Sequence, residues 1–210
     1  ILKCAAGLLA PSKGVIYAQG VEIEGTSRDR GMVFQQYTSF AWLTVQKNVE
    51  YGLRLAGVGG KERLERARKV LGQVGLTQFA NTYPKELSGG MKQRVAIART
   101  LVNEPKLVLM DEPFGALDPQ TRWGMQSLLL TISEEANNTI LFVTHDVAEA
   151  VYLADTIYIL SHRPATILQK KTLPHFGERD FELKQSNEFR LIENEILDLL
   201  HEQQGDLVIG

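Results

Sequence analysis

Two uninterrupted apolar stretches, each followed directly by polar residues, constrain the fold of this chain most strongly. Residues 107–110 (Leu-Val-Leu-Met) lead into Asp111 and Glu112, and residues 139–143 (Thr-Ile-Leu-Phe-Val) lead into a second polar group that contains His145. Short apolar stretches without alternation are typical of strands that are buried on both faces, as in parallel sheets. The sequence therefore predicts an α/β fold with a mostly parallel sheet flanked by helices.

Helical patterns alternate with the predicted strands. The helix over 61–74 is amphipathic, and the helix over 90–102 ends before Pro105. Residues 1–9 read as the tail of a helix, and the region of about 44–90 is expected to form a small helical lobe. The other predicted elements are strands at 15–23, 32–34 and 156–160 and helices after Pro119, at 147–153 and at 187–201.

The bulk properties exclude several function classes. The chain has 210 residues, 44% of them hydrophobic, and a formal net charge of -2, so it has no basic field for nucleic acid. Its single cysteine, Cys4, cannot form an intrachain disulfide, which fits a reducing compartment. No apolar run approaches the roughly 20 residues that span a bilayer. We therefore expect a soluble protein of the cytosol.

The polar residues after the two strands predict a site at one edge of the sheet. Ligands of open parallel α/β sheets bind outside the carboxyl ends of the strands. One carboxylate of Asp111 and Glu112 could hold Mg²⁺, and the other could orient and deprotonate an attacking water. For a lone strand that ends in Asp-Glu, simple capping of the following turn is an equally good interpretation. A lone His145 is more often a structural hydrogen-bonding group than a catalytic one.

A second candidate site precedes the helix over 90–102. Ser88, Gly89 and Gly90 place a hydroxyl and unobstructed backbone N–H groups at the positive end of a helix dipole. Glycines let a phosphate approach because no Cβ stands in its way. The alternative is an ordinary serine N-cap beside flexible glycines, and on this segment alone that alternative is the better one.

Together these residues resemble the nucleotide-binding domain of ABC transporters over essentially the whole chain. Residues 87–93 resemble the signature motif, 107–112 the Walker B strand, 115–118 the D-loop and 33–35 the Q-loop, and His145 resembles the switch histidine. Any one of these motifs is a weak signal. Five of them in the family's order leave little room for coincidence.

The resemblance implies a role for each motif residue, with ATP and Mg²⁺ as cofactors. Glu112 would be the general base, and His145 would complete the catalytic pair. Asp111 and Gln35 would hold the metal. The residues implied in ATP binding are Gln35, Ser88, Gly89, Gly90 and Asp118.

One departure from the family concerns the phosphate-binding loop. Residues 1–210 contain no G-x-x-G-x-G-K-[ST] run, and residues 3–8 resemble the helix that follows this loop in the family. We therefore expect the chain to begin just past the loop, without the upstream strands and the aromatic residue that would stack on adenine. By themselves, residues 1–210 are expected to be inactive, because the loop supplies most of the phosphate contacts.

The resemblance also implies partners and a location. The partners are transmembrane permease subunits, a second copy of the ATPase in a homodimer and, indirectly, a periplasmic or extracellular substrate-binding protein, with no nucleic acid. The protein would lie at the cytoplasmic face of the membrane as a peripheral subunit. Residues 36–42, rich in aromatics, would form the groove for a cytoplasmic permease helix. The alternative is that Phe40 and Trp42 fill the lobe's own core.

The transported substrate and the domain limits follow from weaker similarities. Residues 155–160 and 163–165 and the tail through Phe189 are similar to ATPases that import nitrate, sulfonates or taurine. The ATPase domain is expected over 1–175, with a C-terminal tail and helix over 176–210. An ATPase of another import system, a soluble ABC ATPase that acts on DNA or ribosomes, and a catalytically silent subunit remain alternatives. The sequence has neither the basic patch nor the second domain copy of the soluble class.

Overall fold

The computed structural model describes residues 1–36, 38–136, 138–177 and 179–205. The chain forms two compact units, Ile1–Val143 and Thr144–Gly210. Within the described ranges, no helix combines the length and the apolar character that crossing a membrane requires. How far the ATPase domain predicted over 1–175 extends stays a prediction.

The first unit contains the predicted parallel sheet. Its strands are β1 (Tyr17–Ala18), β2 (Val21–Glu22), β3 (Arg30–Val33), β4 (Leu107–Asp111) and β5 (Thr139–Val143). Its helices are α1 (Leu2–Ala5), α2 (Val45–Leu55), α3 (Gly60–Gln73), α4 (Gly89–Leu101) and α5 (Pro119–Ala136), with single 3₁₀ turns at Thr77–Phe79 and Pro84–Glu86. Strands β3, β4 and β5 pair in that order and all run parallel. The predicted fold class is confirmed.

Burial differs between the two strands that were expected to be buried on both faces. In β4, Val108, Leu109 and Met110 are completely buried. Residues of α1 pack on Leu109 from one side. In β5, however, Leu141 and Val143 are 37% and 39% exposed, so the expectation is wrong for that strand. The exposed side chains alternate with half-buried Ile140 and Phe142, so one face of β5 is open in the described part of the chain.

The helical lobe is built from α2 and α3, which pack against α4. Helix α3 occupies almost the range predicted for it, and its Ala67 and Leu71 are buried, as are Val49 and Leu53 of α2, the helix that it packs against. Helix α2 begins at Thr44, whose side-chain oxygen accepts a hydrogen bond from the backbone of Lys47. This N-cap satisfies one of the unpaired N–H groups at the start of the helix.

Strands β1 and β2 form a tight antiparallel hairpin within the strand that was predicted over 15–23. Gln19 and Gly20 form its turn with φ values of 52° and 77°. Two consecutive positive φ values are the signature of the turn type that matches the twist of a two-residue hairpin. The predicted strand is therefore two short strands.

The second unit consists of α6 (Val147–Leu153), β6 (Thr156–Leu160), β7 (Ile167–Thr172) and α7 (Asn187–Gly205), with a 3₁₀ turn at Leu183–Gln185. Strand β6 was expected to continue the parallel sheet, but it pairs antiparallel with β7. The short connection between them allows a hairpin, whereas a parallel crossover needs about a dozen residues or more. Helix α7 confirms the predicted C-terminal helix and buries Phe189 and Ile196.

Candidate functional site

The end of β4 brings together two of the residues predicted for the site. The side-chain amide of Gln35, just beyond β3, donates a hydrogen bond from Nε2 to Oε2 of Glu112 at 3.0 Å. The two residues are 77 positions apart in the sequence, and the parallel pairing of β3 with β4 places their strand ends side by side. Because the amide uses its N–H here, its oxygen is the atom left to face a cation or a water.

The backbone of Glu112 has an unusual conformation. Its φ is +43°, in the left-handed region that residues other than glycine rarely adopt. Such a conformation costs on the order of 1–3 kcal/mol and is concentrated at functional sites. Its N–H donates to the carbonyl of Val143 at 2.9 Å, which holds the strained residue in place. The predicted catalytic role of Glu112 is consistent with this conformation and stays a prediction.

Asp111 fits the ligand chemistry of Mg²⁺. It is the last residue of β4, is half-buried and lies opposite Val143 in the parallel register. Carboxylate and amide oxygens are the hard ligands that Mg²⁺ prefers, and this ion usually keeps several waters and phosphate oxygens as well. No group of three or more His, Cys, Asp or Glu residues that could hold a metal occurs in the described part of the chain. Asp111 and Gln35 carry oxygen ligands of the kind that Mg²⁺ prefers, and their role as metal ligands stays a prediction.

Ser88 is the N-cap of α4. Its hydroxyl oxygen accepts a hydrogen bond from the backbone of Met91 at 3.4 Å, as the N-cap alternative predicted. Ser88 and Gly89 are exposed, so the helix N-terminus also presents its N–H groups to solvent. Gly90 is buried, and a Cβ on it would lie 2.4 Å from the methyl group of Thr121 in α5. Only glycine permits α4 and α5 to approach this closely.

Asp118 lies at the start of α5. Its Oδ1 accepts a hydrogen bond from the backbone N–H of Thr121 at 3.0 Å. Hydrogen bonds from the side chain and the backbone of Thr121 lower the pKa of this carboxyl below its ordinary value of 3.8. Asp118 thus caps the helix with a carboxylate. The part it would play in ATP binding stays a prediction.

The lowered pKa of Asp118 gives a pH-dependent stability. A carboxyl with a lower pKa in the folded than in the unfolded protein stabilises the fold above its unfolded pKa and loses that contribution as the pH falls through the folded pKa. We expect Asp118→Asn, which keeps a good N-cap, to melt below the parent at pH 7. The difference should shrink as the pH is lowered to 3.8 and below. Thermal melting of both proteins between pH 7 and pH 3.8 or below checks this prediction. A difference in melting temperature that does not change with pH would contradict it.

His145 lies in the second unit, on the turn between β5 and α6, where it is exposed. The turn has a fixed backbone, because the Thr144 hydroxyl accepts the N–H of Asp146 at 3.0 Å. Asp146 in turn caps α6 by accepting the N–H of Glu149 at 3.0 Å. His145 thus belongs to the second unit, and its role as the switch histidine stays a prediction.

A cluster of aromatic and cationic side chains occupies the lobe beside Gln35. Phe40 has its ring centroid 4.5 Å from that of Tyr51 and 5.4 Å from that of Trp42. The guanidinium of Arg99 lies 4.5 Å from the ring centroid of Phe40 and donates a hydrogen bond to the backbone carbonyl of Thr38. Burial of this side chain lowers the pKa of Arg99. Phe40 is half-buried, but Trp42 is 74% exposed, so Trp42 does not fill the lobe's core.

Sequence reasoning pointed to residues 36–42 but missed Tyr51 and Arg99, which complete this cluster. The i,i+3 and i,i+4 spacings that identify neighbours within one helix carry no information about contacts between α2, α4 and a loop. The only available signal was an arginine in an otherwise apolar stretch of α4. Tyr37, which belongs to the same predicted segment, lies outside the described residues.

Comparison with known proteins identifies clear relatives. The family described as ABC transporter matches residues 1–115. The nitrate import ATP-binding protein NrtD of Synechocystis sp. is 47% identical, covering 98% of this chain and 80% of that protein. The taurine import ATP-binding protein TauB of Pelagibacter ubique is 42% identical, covering 99% and 80%. A dimeric post-hydrolysis structure of the ATP-binding cassette MJ0796 with ADP and Pi superimposes with a TM-score of 0.72 at 34% identity, covering 83% and 80%.

Proposed function

The chain belongs to the ABC transporter family of ATP-binding proteins, and from this we propose that it hydrolyses ATP to drive import of nitrate, a sulfonate, taurine or a similar small anion. The observation that carries the ATPase assignment is the contact between Gln35 and the strained Glu112 at the end of β4. The proposal for the substrate is supported by similarity to proteins named for nitrate and taurine import. The protein would work at the cytoplasmic face of the membrane.

In the proposed mechanism, Glu112 accepts the proton of the water that attacks the terminal phosphate. The Gln35 amide fixes one carboxylate oxygen and thereby the orientation of the group. Asp111 and the Gln35 amide oxygen would hold Mg²⁺, which neutralises the charge of the phosphates. His145 would stabilise the terminal phosphate from the turn before α6. A positioned base of this kind contributes about 10²–10⁴-fold to a rate.

Two copies of the chain would form each complete site. Ser88, Gly89 and the N-terminus of the 13-residue helix α4 present N–H groups to solvent, and they need an anion that the opposite copy supplies. Gly90 and Asp118 support this surface at the contact with α5. The dimeric state of a related cassette supports the arrangement. The transmembrane partners would complete the assembly.

The aromatic cluster is the proposed contact with a permease subunit. Trp42 is an exposed aromatic beside half-buried ones, and aromatic side chains are enriched at protein interfaces. In a protein with Cys4→Ser, we expect Trp42→Cys to crosslink efficiently to the permease subunit in the assembled transporter. Val21→Cys, on the β1–β2 hairpin and 69% exposed, is the matched control and should not crosslink. Crosslinks from position 21 but none from position 42 would place the partner elsewhere.

Transport assays test the proposed function as a whole. The intact protein would be reconstituted with its permease subunits and binding protein in liposomes. ATP hydrolysis and uptake should both rise when nitrate, taurine or another small sulfonate is supplied, and the substrate that does so defines the system. An ATPase that is active without the permease and does not co-purify with it would instead favour the soluble class.

A further inference from the structure

Gln93, in the second turn of α4, is completely buried, yet neither its amide nitrogen nor its amide oxygen has a hydrogen-bond partner among the described residues. Buried polar side chains are nearly always paired, so a buried amide with both atoms unpaired needs a physical explanation. Asn48 shows the usual situation in the same unit. It is equally buried, and its amide accepts the N–H of Phe40 and donates to three backbone carbonyls, those of Phe40, Leu43 and Thr44.

Gln93 lies on the part of α4 that faces the rest of the unit. Gly90, one turn earlier, packs against Thr121 at the start of α5. Thr100, two turns later, places its hydroxyl 3.5 Å from the carbonyl of Met32 in β3. Helical periodicity puts Gln93 on the same face as Thr100. The unpaired amide therefore lies on the buried face of α4, between the contacts that Gly90 and Thr100 make on that face.

Helix α4 also connects the two ends of the candidate site. Its N-terminus carries Ser88 and Gly89, and its C-terminal half holds the loop after Gln35 through Arg99 and the Thr38 carbonyl. The segment 112–118 leads from β4 into α5, and the start of α5 contacts the start of this helix through Thr121 and Gly90. A small shift of α4 along α5 would change which backbone groups of that segment the Gln93 amide can reach.

We propose that Gln93 is a positioning residue whose amide gains hydrogen bonds to the backbone of residues 112–118 only in the ATP-bound state. A group that is unpaired in one state and paired in another biases the equilibrium toward the paired state. Gln93 would thus favour the arrangement of Glu112 and α4 in which ATP is hydrolysed. This inference rests on the proposed ATPase function, since ATP is the ligand that selects the second state.

The first test compares the nucleotide-free proteins. Methionine matches glutamine in length and shape but has no polar group to bury, so Gln93→Met should raise the melting temperature of the intact protein by about 2–4 °C. Asn48→Leu is the control: it removes an amide that is hydrogen-bonded, so it should lower the melting temperature. Gln93→Leu, measured in parallel, separates the loss of the amide from the packing of one particular side chain. A lower melting temperature for both Gln93 variants would overturn the proposal, because the amide would then already be paired.

The second test measures the ATP-bound state. Gln93→Met should lower kcat about tenfold, as expected for the loss of one or two hydrogen bonds, while KM for ATP stays unchanged. In a Glu112→Gln background, which traps the ATP-bound dimer, the same change should weaken ATP-driven dimerisation. A parental kcat together with a higher melting temperature would also overturn the proposal. Failure of the ATPase assignment would appear instead as an inactive parent, and the comparison of melting temperatures does not depend on it.

Discussion

Glu112→Gln is expected to lower ATP turnover of the intact protein by about 10²–10⁴-fold, the range for a lost general base. Glutamine has the shape of glutamate, and its carbonyl oxygen can still accept the hydrogen bond that Gln35 donates to Glu112. It cannot take a proton from water, so the substitution keeps the geometry of the site but removes the general base. ATP binding should persist and ATP-bound dimers should accumulate. Phosphate release, calorimetric ATP titration and size-exclusion chromatography measure these three quantities.

The chain provides a closely matched control for this substitution. Glu135 in α5 also accepts a side-chain amide, because Gln73 Nε2 donates to its Oε2 at 2.8 Å. Glu135→Gln therefore changes the same functional group in the same kind of pair, and turnover should stay at the parental level. If Glu112→Gln behaved like Glu135→Gln, the catalytic base would have to be another residue.

The sequence predicted the elements that carry the site because those elements have local signals. The continuous apolar run of β4 identified it as a strand, and the polar residues after it identified the edge where Asp111 and Glu112 lie. The serine and the glycines at 88–90 identified the start of α4 in the same way. Capping residues and hydrophobic periodicity depend on neighbours within a few positions, so one sequence is enough to recognise them.

Features that depend on distant contacts could not be predicted in this way. The apolar run of β6 looks like that of β4, and only pairing with β7 shows that it lies in an antiparallel hairpin. The positive φ of Glu112 is imposed by its surroundings, since the residue type disfavours it. Gln93 looks like an exposed polar residue in a helix, and its burial follows from how α4 packs. In each case tertiary contacts override the local preference.

Gly89→Asp is expected to abolish ATP-driven dimerisation of the intact protein and to lower ATP turnover by about 10²–10³-fold, the effect of removing a transition-state stabiliser. Gly89 is exposed in the first turn of α4, where backbone N–H groups would meet the terminal phosphate bound by the opposite copy. A carboxylate there would occupy the space of the phosphate and repel its charge. It would not disturb the fold, because a helix N-terminus tolerates acidic residues well.

The decisive comparison is between ATP binding by monomers and dimer formation. Monomers of Gly89→Asp should bind ATP almost as the parent does, because the altered surface belongs to the other copy's site. Gly59→Asp is the control, since Gly59 is the N-cap of α3 and a Cβ on it would have no neighbour within 4 Å. It adds the same charge at the start of another helix in the same lobe, and both dimerisation and turnover should be unaffected. Equal loss of ATP binding by Gly89→Asp monomers would show that the N-terminus of α4 serves its own copy's site, and the two-copy arrangement would then be wrong.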